Sequence, residues 1–114
     1  MSYRVEGVSE IADEKDLRAE VLDRRGYTAV VFGADWCPDC RRFAPTFSSL
    51  AEQYGGGLAF FRVSTQRCPD LEARYEVGLI PTVLLFHDAQ VVRTWEFVED
   101  PAAYRAVFDQ LPAG

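Results

Sequence analysis

The strongest constraint on this chain is the junction Trp36-Cys37-Pro38-Asp39-Cys40. Ahead of it runs Thr28-Ala29-Val30-Val31-Phe32, apolar without alternation and rich in β-branched residues. Such a run reads as a strand covered on both faces of a sheet. Behind it, Phe43, Phe47, Leu50, Ala51 and Tyr54 recur at the spacing of one helix face, and Gly55-Gly56-Gly57 is expected to end the helix in a left-handed turn. Two cysteines thus stand where a buried strand gives way to a long amphipathic helix.

The flanking segments repeat this alternation. Leu58-Ala59-Phe60-Phe61-Arg62-Val63 and Thr82-Val83-Leu84-Leu85-Phe86 read as further buried strands, and Val91 to Val98 as a half-exposed edge strand. Tyr3-Arg4-Val5 is the candidate for a short first strand. Leu17, Val21 and Leu22 predict an early helix ending near Gly26, and Pro69 to Tyr75 a short one. Tyr104, Val107, Phe108 and Leu111 predict a last helix, capped by Asp100 with Pro101 in its first turn. Helices between buried strands imply parallel crossovers, whereas His87-Asp88-Ala89-Gln90 is hairpin-short and implies an antiparallel pair. The expected class is α/β, a central mixed β-sheet with helices on both faces.

At 114 residues and 48% hydrophobic, the chain suits one domain over 1–114 with one core. A net charge of −6 repels phosphate backbones, so nucleic acid is not an expected partner. No signal-peptide-like apolar stretch opens the chain, and no run nears the ~18 apolar residues of a membrane span. The expectation is a cytoplasmic monomer with no membrane contact. Three cysteines, only two of them close together, do not make a secreted disulfide framework.

The placement of the pair carries its chemistry. Pro38 favours the first helical turn, which puts Cys37 at the N-cap, where unpaired N–H groups and the helix dipole favour a thiolate. Cys40 follows at i+3, roughly 5–6 Å away at Cβ, near the span of a disulfide. The helix turns Cys40 inward beneath Cys37, so the outer sulfur can attack a disulfide and the inner one resolve it. A structural zinc site needs four ligands, and only Cys68 and His87 remain, without the spacing. Cys68 reads as a partly buried structural thiol and His87 as a loop residue.

Taken with Pro45 inside the helix and Ile80-Pro81-Thr82 ahead of an apolar strand, the junction resembles the thioredoxin family over almost the whole chain. The resemblance implies a thioredoxin fold, a cis bond at Pro81 and a groove formed by Trp36, the cysteine pair and Ile80–Pro81, where an extended substrate strand pairs with backbone. It implies a protein-disulfide reductase in which Cys37 attacks, Cys40 resolves and Trp36, Pro38, Asp39, Ile80 and Pro81 contact protein disulfide substrates. No metal or prosthetic group is needed, and electrons would return from a donor such as a flavin-dependent thioredoxin reductase. Trp36 has a rival reading as core packing.

Three positions depart from the family. Pro38-Asp39 replaces Gly-Pro, and a carboxylate between the sulfurs disfavours a thiolate, with Arg41 and Arg42 available to offset it. Val31, six residues before Cys37, stands where the family buries an aspartate that moves the inner thiol's proton. Asp39 or water is the expected replacement. Phe97 aligns with a groove-lining glycine, which points to narrower partner choice. The alternatives are a redox-dependent binding module with little turnover and a glutaredoxin-like, glutathione-dependent enzyme.

Overall fold

The computed structural model describes residues 3–112. Five strands form one mixed sheet: β1 (Ser9–Ile11), β2 (Tyr27–Gly33), β3 (Leu58–Ser64), β4 (Thr82–His87) and β5 (Gln90–Glu96), in the order β1-β3-β2-β4-β5. β3 runs parallel to both β1 and β2, whereas β4 is antiparallel to β2 and to β5. The long crossovers and the short hairpin therefore set strand direction as the connection lengths require.

Helices cover both faces. α2 (Pro38–Tyr54) and α4 (Pro101–Phe108) pack Phe43, Phe47, Tyr104 and Phe108 onto Ala29, Val31, Leu58, Phe60, Val83 and Leu85. On the opposite face, α1 (Glu14–Leu17) and α3 (Pro69–Arg74) set Leu17 and Leu71 against Val30, Phe32, Phe61, Val63, Leu84 and Phe86. Successive residues of β2 thus enter different cores, which is why that strand is apolar without alternation.

Five expectations are corrected. Tyr3-Arg4-Val5 is not a strand: Tyr3 and Val5 bury alternately, but the chain turns at Gly7 (φ +76°) and first joins the sheet at Ser9. The early helix does not stay α-helical, continuing as a π-helical turn over Arg18–Leu22. α2 ends at Gly55 without a left-handed residue; φ there is −62°. Glycine is needed for space instead, since a Cβ would lie 2.5 Å from the Ala51 carbonyl oxygen. The last strand stops at Glu96, because Phe97 takes φ +61° and leaves the ladder, and Leu111 packs on the core from beyond the end of α4.

Candidate active site

Cys37 and Cys40 sit where β2 feeds into α2, and both are free thiols. The Cys37 backbone is extended, Pro38 opens the helix, and the Cys37 sulfur accepts the backbone N–H of Cys40 at 3.2 Å. A side-chain acceptor at that point satisfies one of the unpaired donors of a helix start. The Cys37 sulfur is therefore the cap of α2.

Cys40 is fully buried one turn below. Burial pushes its thiol up to about 12, and the hydrogen bond with the Cys37 sulfur adds to that. A backbone hydrogen bond from Ala34 acts in the other direction, while the Asp39 charge raises the value further. Burial thus favours the neutral thiol of Cys40 over its thiolate.

The other expected residues gather around the pair. The Ile80–Pro81 bond is cis, and the Ile80 carbonyl oxygen lies 3.8 Å from the Cys37 sulfur. Trp36 is 65% exposed, so core packing does not explain it. Pro38 is exposed at the first turn of α2. Asp39 is ion-paired with Arg42 on the outer side of the helix, while Arg41 donates to the Asp35 carbonyl at 2.6 Å. Of the two arginines, only Arg42 neutralises the carboxylate.

Val31 is fully buried on the α2 face, where it leaves no acid beneath the cysteines. Phe97 is 41% exposed and borders a cleft of about 440 Å³ shared with Asp39, Arg42, Phe43, Val98 and Pro101. Cys68 belongs to the opposite core, 3.3 Å from the Ala12 carbonyl oxygen, and burial raises its pKa. His87 closes β4 and stacks on Tyr27 at 4.2 Å between ring centroids. Neither reaches the pair.

Residues 8–107 match the family model described as Thioredoxin. The chain belongs to the thioredoxin family. Its thioredoxin relatives include a chloroplastic M-type thioredoxin of Triticum aestivum, 38% identical over 80 residues that cover 70% of this chain and 46% of that one. Thioredoxin C-2 of Corynebacterium nephridii is 33% identical over 69% of this chain and 73% of its own. The chain spans about half the length of the wheat relative. A mutant thioredoxin from Halobacterium salinarum shares the thioredoxin fold at a TM-score of 0.81, with 24% identity, covering 90% of this chain and 88% of that one.

Sequence reasoning missed two residues on the α2 face of the sheet. Tyr3 comes in from the N-terminal segment, and Arg62 lies beside Val31 in the β2–β3 register. Alternation at Tyr3 and Val5 announced burial but could not name the face.

Proposed function

We propose that this chain reduces protein disulfides by thiol–disulfide exchange, with Cys37 as nucleophile and Cys40 as resolving thiol. The observation that carries the reading is the Cys37 sulfur capping α2 directly above a fully buried Cys40. The Cys37 thiolate attacks one substrate sulfur, and the other leaves as a thiolate and takes up a proton. Cys40 then gives up its proton, and its thiolate attacks the Cys37 sulfur of the mixed disulfide. The Cys37–Cys40 disulfide forms, the second substrate thiol departs, and the pair has passed two electrons to the substrate. A thioredoxin reductase is the donor class that returns them.

In this reading Trp36, Pro38, Ile80 and Pro81 bound the groove for an extended substrate segment. The support is their closeness to Cys37 and the exposure of the Trp36 ring. The proposed acceptor of the Cys40 proton is Asp39, once its pairing with Arg42 opens, or water, and an unchanged pH profile of reduction in Asp39→Asn would leave water. The Phe97 ring restricts which protein disulfides enter. The reaction belongs to a reducing compartment such as the cytoplasm, with the chain acting as one monomeric domain.

Insulin-disulfide reduction with dithiothreitol tests the reading: the chain should accelerate it, and Cys37→Ser should match the blank. An equilibrium potential near about −270 mV is expected for a reductant, against about −120 mV for an oxidant. Phe97 also favours a second reading, a binding module that docks one partner without turnover. No acceleration by the unaltered chain would decide for that module.

A further inference from the structure

The segment ahead of β1 carries a polar group to the underside of the cysteine pair. The Tyr3 backbone N–H donates to the Asp35 carboxylate, tying the segment to the loop before Trp36. The Tyr3 ring enters the α2 face of the sheet at Gly33, where a Cβ would lie 2.6 Å from Cζ and 3.0 Å from the hydroxyl oxygen. Glycine at that position is what admits the ring. Tyr3 is only 4% exposed, and its hydroxyl has no hydrogen-bond partner among the described residues. One residue further on, the Ala34 carbonyl accepts the Cys37 N–H at 3.2 Å, and Tyr3, Ala34, Cys37 and Cys40 share one buried cluster.

An unpaired buried hydroxyl is destabilising, and its retention calls for a partner that exists in another state of the molecule. The ionisable groups that bear on this phenol are Cys40 of α2, Arg62 of β3 and Cys37 at the cap of α2. Arg62 is itself paired with Glu10 of β1 at 3.0 Å, Asp35 holds the Tyr3 N–H, and Asp39 is taken by Arg42. Tyr104 has the other unpaired buried hydroxyl among the described residues, but the charge that bears on it is Glu99 and neither cysteine.

Building on the exchange reading, we propose that Tyr3 is a positioning residue for the resolving step. Its hydroxyl is the donor that meets the negative charge formed on Cys40, on the sheet face where Val31 provides no carboxylate. No electron or proton is transferred through Tyr3. Burial pushes its phenol well above the usual tyrosine range, so it donates a hydrogen bond without ionising.

The test compares Tyr3→Phe with Tyr104→Phe in the full chain, each of which removes one unpaired hydroxyl and keeps the ring. A mixed disulfide preformed between Cys37 and thionitrobenzoate is followed by stopped flow across pH. Tyr3→Phe should slow resolution about tenfold and move its profile up by about one pH unit, the size of one hydrogen bond to a charged group. Its thermal midpoint should hold or rise, and Tyr104→Phe should leave the profile in place. A wild-type profile in Tyr3→Phe, or an equal shift in both variants, overturns the proposal. In the Cys37→Ser background, which cannot exchange, modification of Cys40 by methyl methanethiosulfonate reads its thiolate directly. It should slow about tenfold with Tyr3→Phe, and an unchanged rate overturns the role of Tyr3 even where turnover itself fails.

Discussion

Phe97 holds a left-handed backbone (φ +61°) at the exit of β5, a conformation that costs a bulky side chain about 1–3 kcal/mol and glycine almost nothing. The ring stays 41% exposed beside the cleft that Asp39 and Arg42 share, so little burial offsets that strain. Phe97→Gly should therefore raise stability by about 1 kcal/mol, measured by urea unfolding. If the ring restricts which disulfides enter, as proposed, the same variant should also reduce insulin disulfides faster. A raised midpoint with an unchanged rate would leave the ring without a part in partner choice. Asp39 illustrates the opposite case: helix spacing alone selects its partner, since Arg42 follows at i+3 on the same face while Arg41, at i+2, turns away and donates to the Asp35 carbonyl.

At the scale of elements, the helices start as their local chemistry dictates. The Asp100 carboxylate accepts the Ala102 N–H at 2.8 Å, and Pro101 occupies the first turn. α4 has only eight residues, too few to hold alone, and it depends on this cap and on burying Tyr104 and Phe108. Asp100→Ala should cost about 1 kcal/mol in thermal or urea unfolding, and Asp100→Asn should recover most of it. A neutral Asp100→Ala would mean that packing alone holds the helix. The first strand shows where local reasoning fails. Tyr3-Arg4-Val5 has the alternating burial of a strand and Ser9–Ile11 does not, yet it is Ser9–Ile11 that pairs in register with Phe61–Val63.

Across the whole molecule, one sheet separates two cores, and β2 and β4 contribute to both. Unfolding either face removes the support of the other, so the two should melt together. Phe47→Ala on the α2 face should cost about 3–5 kcal/mol and Leu71→Ala on the α3 face about 2–5 kcal/mol, both residues being almost fully buried. Each should lower a single transition, seen alike by far-ultraviolet circular dichroism and tryptophan fluorescence. Two separated transitions in either variant would show that the faces are independent.

The sequence by itself determined the strand-to-helix junction, the order of elements around it and the cysteine pair. Those features rest on local spacing: apolar runs, a proline in the first helical turn and an i+3 separation. Only the tertiary structure decided how the pair is surrounded. Trp36 faces solvent, Ile80 offers its carbonyl to Cys37, and Tyr3 fills the space at Gly33 beneath Cys40. Each of those neighbours lies on a different segment, and which segments meet is set by sheet order and packing, which no local pattern encodes.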